Sequence, residues 1–156
     1  MRLEYFEMID SVEEFDVVRG HIRAIARVPM TSPVFEGHFP THPILPGVML
    51  LETMNHASGY LMLGLHKLSR LPLFTAVKKG KFRKFVTPGM VLEATADLIH
   101  DGSGFGITKA TIEQDGQRIA DAEITLSLVE FPTPELAAEI RRRAELIGLT
   151  APPVSA

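Results

Sequence analysis

The sequence predicts a single α+β domain in which an antiparallel sheet curls around one long, buried helix. Residues 48–65 are almost wholly apolar, and the helix that they would form has apolar side chains on every face. Such a helix is surrounded by protein rather than lying on its surface. Four strand-like runs separated by turn residues follow it, which is typical of an antiparallel meander. A single sheet leaves open edges, so we expect the protein to dimerise.

The first residues of the chain predict one strand region. Residues 1–12 are compatible with a short helix or with an irregular lead-in. Residues 15–28 partly alternate apolar and polar side chains and predict a strand or a hairpin arm. Gly20 interrupts this run and indicates a turn or a bulge.

A stiff loop is expected to lead into the long helix. Three prolines within residues 40–46 remove backbone donors and favour extended conformations in the residues before them. Residues 29–46 therefore predict a loop without regular structure. The helix is expected to begin near Gly47, because Pro46 is tolerated close to a first helical turn, and to end at about Lys67.

The strands and the C-terminal helix are delimited by turn and cap signals. Asp115-Gly116 is a strong hairpin signal, and Thr133-Pro134 combines a helix cap with proline at the first helical position. We therefore expect a main domain at residues 1–132, a helical extension at residues 133–150 and a loose tail at residues 151–156. The four predicted strands comprise residues 73–85, 90–99, 105–113 and 117–131.

Composition excludes several classes of function. At 156 residues and 46 % hydrophobic content, the chain suits one domain with a substantial core. It has no cysteine, so disulfides, thiolate metal sites and cysteine nucleophiles are excluded. A net charge of −3 argues against nucleic-acid binding.

Neither a membrane span nor a metal site is expected. The long helix contains polar side chains, among them Glu52 and Asn55, which argue against a membrane span. No basic segment followed by an apolar run stands at the start of the sequence, so we expect a cytoplasmic protein. His38 and His42 have the spacing of a helical metal-ligand pair, but Pro40 between them prevents that helix.

Two side chains are candidates for acid–base chemistry. His38 lies at the start of the proline-rich loop, which would hold its imidazole in place. Glu52 is the one carboxylate within the apolar helix, and burying a carboxylate among leucines and methionines is costly without a functional reason. One imidazole and one isolated carboxylate suggest a base and an acid.

Five short motifs resemble a known family. Residues 37–40 (GHFP), 46–48 (PGV) and 52–54 (ETM) are similar in sequence and spacing to the signature of bacterial β-hydroxyacyl-acyl-carrier-protein dehydratases of the FabZ and FabA type. Residues 81–84 (KFRK) and 86–89 (VTPG) also match in kind and spacing. The resemblance covers roughly residues 14 to 130 of this chain.

This resemblance implies a fold and an assembly. The fold would be the hot-dog fold, an antiparallel sheet wrapped around a long helix, paired into homodimers and often into trimers of dimers. Each active site would lie at a dimer interface, with His38 of one subunit facing Glu52 of the other. The resemblance implies no cofactor.

The implied reaction is the dehydration of a (3R)-hydroxyacyl thioester to a trans-2-enoyl thioester in fatty-acid or specialised lipid biosynthesis. It needs a base for the C2 proton, an acid for the departing C3 hydroxyl and a donor to the thioester carbonyl. By hypothesis His38 is the base and the Gly47 backbone N–H is the donor, since a helix N-terminus offers free N–H groups. Glu52 is the acid, and we expect its apolar surroundings to raise its pKa.

Further positions follow from the same resemblance. His56 lies one helical turn after Glu52, where the family usually has glutamine, and we expect it to contact that carboxylate. The side chains expected to line the acyl tunnel are Phe39, Val48, Met49 and Phe82. Acyl chain length cannot be predicted, because flexible methionines leave the depth of a tunnel open.

A run of basic residues lies between the long helix and the later strands. It comprises Lys78, Lys79, Lys81, Arg83 and Lys84. Such a run has an explanation without function, because strand residues that face solvent are often charged. Simple alternation along a strand would place Lys79, Lys81 and Arg83 on one face. The family's substrates are attached to an acidic carrier protein, so the resemblance implies that this run binds the acyl carrier protein.

Three alternatives remain open at this point. A hot-dog acyl thioesterase could also use Glu52, and it would release a free acid. An enoyl-coenzyme A hydratase would act on coenzyme A esters, although Ser32-Pro33 and Gly37-His38 do not reproduce the motif of those relatives. A non-enzymatic acyl-thioester-binding protein would bind the thioester without turnover.

Overall fold

The computed structural model describes residues 1–150 as one six-stranded antiparallel sheet around a long helix. The elements are a 3₁₀ turn at Leu3–Tyr5, β1 at Ser11–Asp16, β2 at His21–Arg27, α1 at Pro33–Gly37, α2 at Gly47–Leu65, β3 at Leu71–Phe82, β4 at Val91–Gly102, β5 at Phe105–Gln114, β6 at Gln117–Val129 and α3 at Pro134–Leu146. The strand order in the sheet is β1-β2-β4-β5-β6-β3. Within these residues, no helix combines the length and apolar character that a membrane crossing requires.

Helix α2 packs against the inner face of the sheet and forms the centre of the core. Met54, Ala57 and Leu61 are fully buried there, and α2 contacts all five strands from β2 to β6. One buried polar contact, between the Ser58 and Thr108 hydroxyl groups at 2.7 Å, joins α2 to β5. Small side chains dominate the inner face of the sheet: Ala24, Ala26, Ala94, Ala96, Ala110, Ala120 and Ala122. The prediction that this helix is buried is confirmed for the face that packs on the sheet. The prediction that protein surrounds every face is wrong for this protomer, because Val48 is 70 % exposed and Glu52 and Tyr60 are half-buried.

The predicted strand boundaries need two corrections. The first strand region is a hairpin of β1 and β2 with Gly20 at φ +63° in its turn, so its first arm begins before residue 15. Strand β3 begins at Leu71 and ends at Phe82, earlier than predicted. It is an edge strand, which is why Pro72 is tolerated within it.

A bulge in β3 changes the expected orientation of the basic residues. The register between β3 and β6 shifts between Lys78 and Lys81, and Lys79 has a positive φ of 54°. An extra residue on one strand interrupts the two-residue period of side-chain direction. The prediction that Lys79, Lys81 and Arg83 share one face by simple alternation is therefore wrong.

The segment predicted as a loop at residues 29–46 contains a short helix, so that prediction is wrong for Pro33–Gly37. The Ser32 hydroxyl accepts a hydrogen bond from the Val34 N–H at 3.2 Å, and Pro33 occupies the first helical position. Serine followed by proline is a favourable helix start. The three later prolines follow this turn and leave residues 38–46 without regular structure.

Helix α3 begins as its cap signal predicts. The Thr133 hydroxyl accepts a hydrogen bond from the Leu136 N–H at 3.1 Å. At the other end of the helix, the Val12 N–H of β1 donates to the Ile147 carbonyl at 2.6 Å, which attaches the extension to the first strand. The division of the chain at residue 132 stays a prediction, and the predicted tail at residues 151–156 lies outside the described residues.

Candidate active site

The imidazole of His38 is held by a hydrogen bond to the backbone of Ile44, which lies opposite it across the loop. His38 follows the last turn of α1, and its backbone N–H donates to the Val34 carbonyl at 3.1 Å. Its ring Nδ1 lies 2.8 Å from the Ile44 carbonyl oxygen, and the Ile44 N–H donates to the His38 carbonyl at 2.9 Å. Because a carbonyl oxygen only accepts, Nδ1 carries the proton. The neutral imidazole then presents Nε2 as a free base.

Further contacts fix the ring and the loop. The His38 ring stacks on the Phe39 ring with centroids 4.0 Å apart, across a cis peptide bond. The Leu45 N–H donates to the Val86 carbonyl at 2.8 Å, which joins the loop to the segment after β3. His38 is therefore positioned before any substrate binds.

His38 lies at an apolar cavity of about 540 Å³. Of the predicted tunnel residues, Phe39 and Phe82 line this cavity and Val48 and Met49 do not. Val48 is 70 % exposed in the first turn of α2, and its place in a tunnel stays a prediction. The complete lining is His38, Phe39, Ile44, Leu45, Gly47, Leu50, Phe82, Arg83, Lys84 and Phe85. Sequence reasoning missed four of these residues, namely Ile44, Leu45, Leu50 and Phe85.

Gly47 places the N-terminus of α2 in the wall of this cavity. Pro46 precedes it and makes no side-chain hydrogen bond to the first turn. Within residues 1–150, no acceptor is bonded to the Gly47 N–H. Free N–H groups and the positive end of the helix dipole favour an oxygen that carries partial negative charge.

Glu52 faces a different cavity. This groove, of about 280 Å³, lies between α2 and the edge strand β3 and has no lining residue in common with the His38 cavity. Its lining comprises Glu52, Asn55, His56, Gly59, Tyr60, Leu63, Leu71, Pro72, Leu73, Phe74 and Ile140. One protomer therefore does not bring His38 and Glu52 together. Among residues 1–150, no three potential metal ligands of the His, Asp and Glu types are grouped for metal binding.

Two side chains of α2 hold the Glu52 carboxylate, one at each oxygen. His56 Nε2 lies 2.9 Å from Oε1, and Asn55 Nδ2 donates to Oε2 at 3.1 Å. Burial raises the pKa of Glu52. The hydrogen bond and charge of His56, together with the hydrogen bond from the Asn55 amide, lower this pKa by more than burial raises it, so the net shift is downward. The predicted upward shift of the Glu52 pKa is wrong for this protomer. The prediction gave the apolar surroundings more weight than the contact with His56 and did not include the hydrogen bond from Asn55.

Asn55 is a site residue that sequence reasoning missed. Its amide nitrogen is committed to Glu52, and its Oδ1 is the one buried side-chain oxygen or nitrogen without a hydrogen-bond partner in residues 1–150. The signal was present in the sequence, because a residue three positions after Glu52 lies on the same face of a helix.

The basic residues form two groups. Lys78, Lys79 and Lys81 are exposed and make no salt bridge to another residue within residues 1–150. Arg83 forms an ion pair with Asp121, and Lys84 donates to the Gln117 side chain. Arg83 and Lys84 also line the His38 cavity, so two cationic side chains are part of its wall.

Solved structures with similar folds define the architectural class. A hypothetical protein of Staphylococcus aureus superposes with a TM-score of 0.64 at 21 % identity, covering 83 % of this chain and 98 % of that one. A hypothetical thioesterase of Streptococcus pneumoniae, solved with coenzyme A, superposes with a TM-score of 0.61 at 16 % identity, covering 79 % and 88 %. These similarities and the helix-in-sheet architecture confirm the α+β hot-dog fold.

Sequence comparison identifies the family. The model of the FabA-like domain matches residues 2–123. The chain is 37 % identical over 128 residues to the 3-hydroxyacyl-acyl-carrier-protein dehydratase FabZ of Chlamydia pneumoniae, covering 80 % of this chain and 84 % of that protein. It is 34 % identical over 133 residues to the FabZ of Symbiobacterium thermophilum, covering 85 % and 93 %. The chain therefore belongs to the FabA-like family, within its FabZ-type dehydratases.

The two donors to Glu52 generate a prediction about its ionisation. We expect His56→Ala to raise the pKa of Glu52, because burial remains while the strongest opposing contact is lost. The measurement is a carbon NMR titration of protein with labelled glutamate side chains. His66→Ala is the matched control, since His66 follows the same helix but pairs with Asp101 at 2.9 Å. An unchanged or lowered pKa in His56→Ala would contradict the assignment.

Proposed function

We propose that the protein dehydrates (3R)-hydroxyacyl-acyl-carrier-protein to trans-2-enoyl-acyl-carrier-protein in fatty-acid or specialised lipid biosynthesis. The observation that carries this proposal is the His38 imidazole, held through Nδ1 with Nε2 free, beside an apolar cavity with the Gly47 N–H in its wall. The FabZ relatives, whose names state this reaction, support it.

The complete site requires a second copy of the chain. Strand β3 is at the edge of the sheet, and its Leu73, Phe74 and Val77 side chains are each at least 40 % exposed. An edge strand with exposed apolar side chains is a surface for pairing. We propose a homodimer, which can assemble further into a trimer of dimers. In the dimer, the Glu52 groove of one copy meets the His38 cavity of the other.

In the proposed reaction, His38 Nε2 removes the proton from C2 of the acyl chain. The negative charge that develops on the thioester carbonyl is stabilised by the Gly47 N–H at the helix N-terminus. The Glu52–His56 pair of the other copy gives its proton to the C3 hydroxyl, which leaves as water. One proton is taken and one is delivered, and transfer of the proton from His38 to the pair restores the starting state.

The first prediction of this mechanism concerns His38. We expect His38→Ala to lower kcat/KM for dehydration by ~10²–10⁴-fold while the protein stays folded, because positioned proton transfer is lost. Mass spectrometry of 3-hydroxyacyl-carrier substrates would measure the loss of water. His21→Ala is the control, since His21 pairs with Asp97 on the sheet away from the cavity.

Two outcomes would reject the dehydratase proposal. Release of a free acid by the wild-type protein would identify a thioesterase, and tight acyl binding without turnover would identify a binding protein. Undiminished dehydration by His38→Ala would reject only the proposed role of His38 and would leave the dehydratase proposal in place.

The second prediction tests whether the site is shared between copies. His38→Ala and Glu52→Gln should each be inactive as separate preparations. When the two are unfolded, mixed and refolded together, we expect part of the activity to return, because mixed dimers contain one site with both native residues. Refolding each variant separately is the control. Failure to regain activity, with mixed dimers demonstrated by mass, would contradict a shared site.

We propose that the basic residues bind the acidic carrier protein. Lys78, Lys79 and Lys81 are accessible cations without a salt-bridge partner in residues 1–150, and Arg83 and Lys84 line the His38 cavity. A positive surface next to the cavity would increase the rate of association with a negatively charged partner.

The third prediction separates docking from chemistry. We expect Lys78→Glu with Lys81→Glu to reduce kcat/KM for carrier-linked substrate and to leave turnover of a small thioester analogue unchanged. These positions are preferable to Arg83, whose replacement would also break the ion pair with Asp121. Lys109→Glu, an exposed cation on β5, is the matched control. Equal losses on both substrates would count against a docking role.

A further inference from the structure

Helix α3 contributes one side chain to the groove that contains Glu52. Ten of the eleven residues that line this groove belong to α2 and β3, and the eleventh is Ile140 of α3. Helix α3 lies beyond residues 2–123, which the FabA-like model matches. The extension therefore adds a residue to the proposed active-site groove from outside the matched domain.

The groove changes in character along α2. Glu52, Asn55 and His56 supply its polar end, and Gly59, Tyr60 and Leu63 continue the same stripe of the helix. Leu63 comes eleven positions after Glu52 in the helix, which corresponds to a rise of about 16 Å along its axis. The opposite wall from β3 is apolar throughout, with Leu71, Pro72, Leu73 and Phe74. Such a groove, with one carboxylate at an end and an apolar remainder, fits an extended acyl chain.

Ile140 is held in place by the contacts of α3. It packs against the hydrophobic core, and Ala144, one turn further along, is fully buried. Arg143 forms a salt bridge with Glu7 and donates a hydrogen bond to the Ile9 carbonyl at 3.3 Å. These contacts attach the helix to the N-terminal segment, so Ile140 is a rigid part of the groove wall.

We infer that Ile140 of α3 sets the length of acyl chain that the enzyme accepts. This inference rests on the proposed dehydratase function and on the Glu52 groove receiving the acyl chain. A branched side chain in the wall of an apolar groove removes space for methylene groups. The difference of one methylene group in such a pocket changes relative kcat/KM by roughly tenfold or more.

The test is a chain-length profile for Ile140→Ala and Ile140→Phe. The substrates are 3-hydroxyacyl-carrier thioesters with short, medium and long acyl chains, and the measured quantity is the ratio of kcat/KM between long and short chains. We expect Ile140→Ala to raise this ratio by about tenfold, because space is added, and Ile140→Phe to lower it. The ratio is independent of the fraction of folded enzyme, so modest destabilisation does not mask the effect.

Leu146→Ala is the matched control. Leu146 is an aliphatic residue of the same helix that is 63 % exposed and does not line the groove, so its replacement should leave the ratio unchanged. A wild-type protein that dehydrates none of the substrates would reject the proposed function itself. A wild-type dehydratase whose ratio is the same in both Ile140 variants, or shifts equally in Leu146→Ala, would reject the inference about Ile140 and leave the function intact.

Discussion

The close approach of α2 to the inner face of the sheet is the constraint on which the rest of the structure depends. A Cβ added at Gly106 of β5 would lie 2.5 Å from the Met62 side chain, and one added at Gly64 would lie 2.5 Å from the Phe15 ring. A larger side chain at Gly64 would collide with the aromatic ring of Phe15, and one at Gly106 would displace the buried Met62 side chain, so both glycines permit the close approach. The small alanine side chains on the inner face of the sheet allow the same close approach of α2 over the rest of the contact. Helix α2 is thereby fixed in rotation as well as in position.

This fixed rotation explains why the candidate site is divided between two cavities. Gly47 and Glu52 are five residues apart, which corresponds to a rotation of about 140° around a helix axis. One helix therefore presents its free N-terminus to the His38 cavity and its carboxylate to the groove beside β3. A single copy cannot bring both groups to one substrate without unwinding α2. The proposed symmetric dimer would contain two complete sites, each with a cavity from one copy and a groove from the other.

Sequence patterns predicted the features that depend on local periodicity. They failed where contacts between elements distant in the chain determine the position of a residue. The buried face of the helix, the β4-β5-β6 meander and the capped start of α3 follow from spacing and turn residues alone. The pairing of β3 with β6 instead of β4 departs from the predicted four-strand meander. The short helix after Ser32 was missed because the prolines that follow it dominated the interpretation. The bulge between Lys78 and Lys81 contains Gly80, a signal that simple alternation left out, although the positive φ falls on Lys79. No periodicity could place Ile140 in the same groove as Glu52, because the groove joins elements that are far apart in the chain.

The lowered pKa of Glu52 changes how the proposed acid step must work, without removing it. Because both contacts favour the ionised form of Glu52 and lower its pKa, the carboxyl group by itself carries no proton to donate near neutral pH. A glutamine at position 56 would provide a hydrogen bond and no proton. An imidazole can carry the proton in place of the carboxyl group, and His56 Nε2 lies 2.9 Å from the carboxylate. In the proposed reaction, the proton that leaves with the hydroxyl would therefore be held on His56 and pass through Glu52, so that the proposed acid is the pair rather than the carboxyl group alone.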